Sequence, residues 1–111
     1  MSFETGDRED ECECPEVEIP AGALHGEFQI INKKGLHARA TAKFVQCAAG
    51  FDAEITVSRC GETVGATSSM GVLTLGAGIG STITVIATGP QAKEALAALE
   101  ALVADRFGEG E

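Results

Sequence analysis

The chain has 111 residues, of which 44% are hydrophobic, and a formal net charge of −9. This length fits one domain with at most a modest extension, and so acidic a chain does not bind nucleic-acid phosphates by charge. No apolar run approaches the roughly 20 residues that span a bilayer, and the amino terminus does not have the pattern of a signal peptide. We therefore expect a cytoplasmic protein that binds neither nucleic acid nor membrane.

The negative charge is concentrated at the amino terminus. Residues 1–20 contain eight acidic residues and one basic residue, a charge of −7, which leaves only −2 for the rest of the chain. Large apolar side chains are scarce there, as in disordered segments. We therefore predict a disordered acidic extension at 1–22, a folded domain at 23–108 and a short tail at 109–111.

The hydrophobic pattern predicts secondary structure in the order β-α-β-β-α-β-α. Alternation from Leu24 to Ile31 predicts a strand, residues 32–35 form a turn, and a helix follows over 38–49 with Gly50 as its left-handed cap. A strand at 53–59, a two-residue turn at Cys60-Gly61 and a strand at 62–66 then form a hairpin. A brief helix begins after Ser68, a strand covers 81–88, and the last helix extends over 91–107.

These patterns predict a two-layer α+β sandwich. The strands have one polar face, which is typical of an antiparallel sheet covered on one side only. Each long helix has one apolar stripe, and that of the first contains Thr41, Phe44, Val45 and Ala48. We expect four antiparallel strands with three helices on one face.

The four cysteines are expected to be reduced, because disulfides are rare in proteins that are not exported. Cys12 and Cys14 form a Cys-x-Cys pair that could hold a soft metal or serve a redox protein, but two thiolates are too few for a structural zinc site. A solvated tail is the simpler interpretation. Cys47 falls on a predicted helix and should pack as a small apolar residue. We predict no metal and no cofactor.

The segment around His37 carries the strongest chemical signal. His37 lies between a glycine turn and the start of a helix, and Arg39 follows two residues later. A helix amino terminus presents unpaired N–H groups and a partial positive charge, which favour a phosphate dianion. Imidazole is available as an uncharged nucleophile at neutral pH, and a guanidinium binds phosphate oxygens. The pattern favours a histidine that reversibly holds a phosphoryl group, the alternative being a surface histidine that caps the helix.

Other chemical signals are weak. The sequence Gly76-Ala77-Gly78-Ile79-Gly80 resembles a nucleotide-binding loop, but such a loop must lead into a helix, whereas this one leads into a predicted strand. No paired carboxylates and no nucleophile–histidine set can be argued from spacing. We expect no hydrolytic enzyme.

Two segments resemble HPr, the histidine-containing phosphocarrier of the bacterial phosphoenolpyruvate-dependent phosphotransferase system. They are Gly35-Leu36-His37-Ala38-Arg39 and the run from Ser68 to Gly76, and the resemblance covers roughly residues 24–107. It implies that the δ nitrogen of His37 accepts a phosphoryl group from Enzyme I and passes it to an Enzyme IIA histidine. The backbone of Ala38 and Arg39 and the Arg39 side chain would stabilise the phosphate. Such a protein is a monomer that converts no small molecule by itself.

The resemblance also implies a docking surface and a regulatory site. The residues expected to contact partner proteins are Arg39, Ala42, Lys43, Gln46, Met70 and Leu73. Ser68 matches the serine that HPr kinase/phosphorylase modifies in many bacteria. The alternatives are that Met70 and Leu73 reach the core and that Ser68 only caps a helix.

Two departures point to a branch of the family. Many relatives have proline where this chain has Ala40, and Lys33-Lys34 precedes the glycine turn. In both features the chain is similar to proteobacterial members of the family that regulate nitrogen and carbon metabolism instead of importing sugar. Two other functions stay open: a regulatory binding module controlled by Ser68, and a metal or redox protein that uses Cys12 and Cys14.

Overall fold

A computed structural model describes residues 19–108 of the chain. Its strands are β1 (Leu24–Gln29), β2 (Glu54–Arg59), β3 (Glu62–Gly65) and β4 (Thr82–Thr88), and its helices are α1 (Ala38–Ala49), α2 (Ser69–Thr74) and α3 (Ala92–Ala104). The 3-10 turn Arg106–Gly108 follows α3. The predicted element order is confirmed. The Cys-x-Cys pair, most of the predicted acidic extension and the tail at 109–111 lie outside the described residues.

The strands form one antiparallel sheet in the order β1-β4-β2-β3. At its centre Val85 is opposite Gly26 on one side and Val57 on the other. Val57 and Val85 are fully buried because this face of the sheet lies against the helices. The predicted two-layer α+β sandwich is confirmed.

Helix α1 has the predicted bounds and nearly the predicted apolar stripe. Thr41, Phe44 and Ala48 are buried, and Val45 packs partly buried against the core. Ala40 is also buried and has no exposed surface, although the pattern did not mark it. A small residue lets α1 approach its neighbours closely at this position.

The last helix is shorter than predicted. It ends at Ala104, and Arg106 and Phe107 have φ angles of 54° and 56°, outside the helical region. The turn buries the Phe107 side chain completely, and the Lys43 ammonium donates a 2.6 Å hydrogen bond to its carbonyl. Burial of a large aromatic ring and this distant bond compensate for the strained backbone.

One of the two predicted glycine turns has the expected geometry. Cys60 and Gly61 have φ angles of 47° and 88°, as a two-residue hairpin turn requires. Gly50 has φ −80°, so the prediction of a left-handed cap is wrong. Its N–H bonds back to Cys47 in a right-handed turn, which needs no glycine.

The two described cysteines differ in state. Cys47 is a free thiol on α1 that packs against the core, as predicted, and burial raises its pKa. Cys60 is disulfide-bonded, so the prediction that all four cysteines are reduced is wrong for this residue. Cys60 lies in an exposed turn, where its sulfur is accessible for bonding.

The outer face of the sheet is mostly polar, with one apolar exception. Ile86 is only 7% exposed and lines a shallow depression with Pro20, Thr56 and Gly65. Residues 19–22 thus approach the sheet before β1 begins, in a turn where Ala23 N–H bonds to the Pro20 carbonyl. In the part of the chain that the structure describes, no helix has the length and apolarity needed to cross a membrane.

Candidate phosphorylation site

The turn before His37 is built around a buried asparagine. The Asn32 side chain has no exposed surface, and its Nδ2 donates a 2.9 Å hydrogen bond to the carbonyl of Gly35. The Gly35 N–H in turn bonds to the Asn32 carbonyl at 3.1 Å. The two bonds close the turn and fix where the chain enters α1.

Gly35 is required by geometry. It has φ +64°, and a Cβ built on it would lie 2.5 Å from the Ala77 carbonyl oxygen and 2.7 Å from the Gly78 Cα. Both obstacles are backbone atoms, so neither can swing aside. The next residue, Leu36, is buried and donates its N–H to the same Ala77 carbonyl at 2.8 Å. The chain on the amino-terminal side of His37 is therefore held in place.

His37 occupies the N-cap position of α1. Its backbone is extended, with φ −78° and ψ −178°, and its carbonyl accepts the first helical hydrogen bond from the Thr41 N–H. The imidazole makes no capping hydrogen bond, so the capping interpretation is wrong. The side chain is half-buried rather than covered.

The first turn of α1 is suited to an anion. The N–H groups of residues 38–40 precede the first helical hydrogen bond, so helix geometry gives them no intrahelical partner. No acidic residue lies in this turn to compete for them or for the partial positive charge of the helix end. Ala38 and Arg39 are exposed, so solvent and a partner protein have access.

Three predicted docking residues share one face of α1. Arg39, Ala42 and Gln46 are three and four residues apart, which places them on one side of a helix, and all are exposed. Lys43 is different, because it is half-buried and its ammonium is bonded to the Phe107 carbonyl.

Helix α2 exposes the other predicted residues. Met70 is 70% exposed and Leu73 is 40% exposed, whereas Val72 between them is fully buried. The alternative that Met70 and Leu73 reach the core is therefore wrong. Because α1 and α2 pack against each other, the apolar residues of α2 extend the exposed face of α1.

Ser68 is the N-cap of α2, as predicted. Its Oγ accepts a 3.2 Å hydrogen bond from the Gly71 N–H, and its carbonyl accepts one from the Val72 N–H. The residue is exposed, as is Ser69 beside it. Ser68 therefore caps α2 while remaining exposed to solvent.

The segment after α2 connects the site to the sheet. Arg59, at the end of β2, donates from Nη1 to the Leu75 carbonyl at 3.1 Å, two residues before the carbonyl that holds Leu36.

Sequence reasoning missed the roles of Asn32 and Ala77, and only the glycine at 35 signalled a close contact. The loop at 76–80 leads into β4, as predicted, and residues 19–108 contain no cluster of three potential metal ligands.

The chain is similar to known phosphocarriers along most of its length. A family model described as "PTS HPr component phosphorylation site" matches residues 24–105. Phosphocarrier protein HPr of Cupriavidus necator is 54% identical over 88 residues, which cover 79% of this chain and 99% of that protein. Phosphocarrier protein NPr of Shewanella violacea is 44% identical over 86 residues, which cover 78% and 94%.

A solved structure shows the same fold. The crystal structure of HPr-C-His from Thermoanaerobacter tengcongensis is 40% identical, has a TM-score of 0.75, and covers 78% of this chain and 97% of that one. Sequence, fold and the placement of His37 thus lead to one assignment. The chain belongs to the HPr family, the phosphocarrier proteins of the phosphotransferase system.

Proposed function

We propose that His37 carries a phosphoryl group from phospho-Enzyme I, and ultimately from phosphoenolpyruvate, to a histidine of an Enzyme IIA protein or domain. In the first step the imidazole δ nitrogen attacks phosphorus in line, an N–P bond forms on His37, and the N–P bond on Enzyme I breaks. The second step reverses these roles with the Enzyme IIA histidine as nucleophile. We also propose that this relay operates in the cytoplasm.

The observation that carries the proposal is that the imidazole is not used to cap α1. His37 is half-buried and is the N-cap of α1, so it directly precedes the first-turn amides, which are natural donors for a dianion at a helix start. The backbone N–H groups of Ala38 and Arg39 would bind the phosphoryl oxygens. These donors are already in place before the reaction, so little reorganisation is needed.

Arg39 supplies a mobile charge in addition. Its exposed guanidinium can approach the phosphoryl group from the solvent side. A carrier must hold the group without excess stabilisation, since tight ground-state binding slows transfer. Backbone donors and one exposed arginine give the moderate stabilisation that a relay needs.

Phosphorylation of Ser68 would regulate transfer to and from His37. A phosphate on its Oγ, added by HPr kinase/phosphorylase, would bring about 1.5–2 negative charges next to the exposed Met70 and Leu73. That charge would oppose docking of Enzyme I without unfolding α2, because an anion is favoured at a helix amino terminus.

Ala40 bears on which pathway the carrier serves. Proline would remove one first-turn N–H, whereas alanine keeps it, and Ala40 fits a fully buried position. Together with Lys33-Lys34, we take this as support for the nitrogen- and carbon-regulating branch, with sugar uptake as the alternative. The two alternatives can be separated by measuring transfer from the phosphorylated chain to a purified Enzyme IIA protein of the regulatory branch and to one of a sugar-uptake system.

The chain offers a matched control for the site, because it has only two histidines. Purified chain is incubated with Enzyme I and phosphoenolpyruvate, and the acid-labile phosphoryl adduct is measured by intact mass. His37→Ala should abolish the adduct, and His25→Ala, which alters an exposed β1 residue, should leave it unchanged. Labelling of folded His37→Ala would refute the site, and an unlabelled wild-type chain would favour the regulatory binding module.

A further inference from the structure

The loop between α2 and β4 lies against the turn that precedes His37, and a side chain from the sheet holds it there. Arg59, the last residue of β2, donates from Nη1 to the Leu75 carbonyl at 3.1 Å. Two residues later, the Ala77 carbonyl accepts the Leu36 N–H at 2.8 Å. We propose that Arg59 is a positioning residue for phosphoryl transfer, which fixes the backbone before His37 through this loop. The proposal rests on the relay proposed above and adds a residue to it.

Arg59 supplies a positive charge that α2 lacks at its carboxyl end. The last carbonyls of a helix have no intrahelical partner and carry a partial negative charge. Helix α2 has no basic residue in its own last turn, and Leu75 is its C-cap. The guanidinium therefore reaches from the neighbouring strand to a carbonyl that favours a cation. A hydrogen bond from a charged donor is about twice as strong as a neutral one, and this one is partly buried.

The bond to Leu75 matters because the next residue of the chain is a glycine. Gly76 alone separates Leu75 from Ala77, has φ +64°, and a Cβ built on it would have no neighbour closer than 4.0 Å. A residue without a side chain does little to limit its own backbone rotation. The direction of the Ala77 carbonyl therefore depends on how firmly Leu75 is held.

The Ala77 carbonyl is the contact through which the loop reaches the site. Its oxygen lies so close to the turn that a Cβ on Gly35 would be 2.5 Å away, and it accepts the Leu36 N–H. A shift of this oxygen moves or releases the residue before His37, and misplacement of a reacting group by about 1 Å can slow a reaction about 100-fold. The side chains of Leu75 and Ala77 are buried and keep the loop partly in place, so we expect a smaller loss on removing Arg59, about three- to tenfold.

Arg59→Met tests the proposal, with Gln91→Met as the matched control. Methionine keeps much of the apolar stem of arginine and removes the donor. Gln91 is also half-buried, and its Oε1 accepts a 2.7 Å hydrogen bond from a distant backbone N–H, that of Asp52. Asp52 follows the carboxyl end of α1, whose 12 residues separate it from His37 by about 18 Å. The control thus loses a bond of the same kind and leaves the loop before β4 intact.

Amide hydrogen exchange, followed by NMR, measures the structural step. In Arg59→Met we expect the Leu36 N–H to exchange about tenfold faster than in the wild type, relative to the N–H of Val85, a buried residue at the centre of the sheet that reports global stability. Gln91→Met should leave this relative rate unchanged. The measurement uses the unphosphorylated chain, so its result does not depend on the relay.

Single-turnover transfer from phospho-Enzyme I measures the functional step. In Arg59→Met the maximal rate should fall about three- to tenfold, while the half-saturating concentration stays within about twofold of the wild type, because Arg59 lies on neither α1 nor α2. Arg59→Lys keeps the charge on a shorter side chain that lacks the planar guanidinium. It should recover part of the Leu36 protection and part of the maximal rate.

The two measurements distinguish failure of the proposal from failure of the relay. The proposal is overturned if Arg59→Met and Gln91→Met give the same relative Leu36 exchange or the same maximal rate, or if the loss appears only in the half-saturating concentration. It is also overturned if Arg59→Lys restores the rate without the Leu36 protection, since charge rather than position would then be the cause. A wild-type chain that accepts no phosphoryl group would refute the relay, and the role of Arg59 in transfer with it, whatever the exchange shows.

Discussion

The N–H of Leu36 donates to the carbonyl of Ala77 at 2.8 Å, and this bond fixes the residue before His37 to the loop that leaves α2. The residues are 41 positions apart in the chain, so the bond forms only in the folded protein. It holds the segment before His37 against a distant loop, while the Asn32 side chain closes the turn within that segment. The backbone that leads into His37 is therefore held in a defined place, while the His37 side chain stays half-buried.

Gly35→Ala should destabilise the fold and misplace His37. The new Cβ would meet the Ala77 carbonyl at 2.5 Å in a backbone with φ +64°, so we expect a loss of about 2 kcal/mol or more in the free energy of unfolding. Urea denaturation measures it. The matched control is Gly78→Ala in the facing loop, where a Cβ meets nothing within 4 Å. Equal stability of the two variants would contradict the contact.

Ser68→Asp should slow phosphoryl transfer from Enzyme I at low salt. Aspartate is a good N-cap, so it preserves the bond to the Gly71 N–H while adding a negative charge beside Met70. Ser68→Asn is the matched control, because asparagine caps the helix equally well without charge. We expect the aspartate variant to be about fivefold slower than the asparagine variant, with a difference that shrinks as salt rises. Equal rates at low salt would exclude electrostatic control.

Met70→Ala should weaken docking without loss of stability. The side chain is 70% exposed, so removing it leaves no cavity, and we expect a change in unfolding free energy within about 0.5 kcal/mol. Binding to Enzyme I, measured by titration calorimetry, should weaken by about three- to tenfold. Leu24→Ala, which truncates an exposed apolar residue at the start of β1, should leave binding unchanged. An unaltered affinity for Met70→Ala would remove this residue from the docking surface.

Cys47 should be alkylated slowly in the folded protein. Burial raises the pKa of its thiol, so the reactive thiolate is a smaller fraction at neutral pH and grows only as the pH rises above the usual cysteine range. A chain with serine at positions 12, 14 and 60 isolates this thiol. Its rate with iodoacetamide, followed from pH 7 to about pH 10, should lie below that of the same chain in urea throughout. Identical profiles would show that burial has no effect on it.

Local patterns predicted the parts of the fold that depend on neighbouring residues. The bounds of α1, the cap at Ser68 and the turn at Cys60-Gly61 all follow from spacing and backbone preference within a few positions. The position of His37 at a helix start also depends on neighbouring residues, which is why that position could be predicted from a short segment. The family resemblance added the roles of Arg39 and Ser68, and the roles of these two residues and of His37 remain proposals.

Contacts between distant residues could not be predicted. The helical pattern continues past Ala104, but burial of Phe107 and the bond from Lys43 end the helix early. Gly50 resembles a left-handed cap, yet its right-handed turn is satisfied by a local hydrogen bond. Sequence reasoning missed the disulfide at Cys60, because the expected compartment was its only guide to cysteine state. Sequence does not show which cysteine sulfurs lie close together in the fold.

The bond between the Lys43 ammonium and the Phe107 carbonyl links α1, the helix that His37 precedes, to the carboxyl end of the described chain. Its 2.6 Å length holds the lysine away from the exposed stripe of its own helix. Removing the chain from Phe107 onward would release that cation toward solvent, making this surface more attractive to an acidic partner. A chain truncated before Phe107 should therefore differ in its rate of encounter with such a partner, even though the residues removed lie outside the turn that precedes His37.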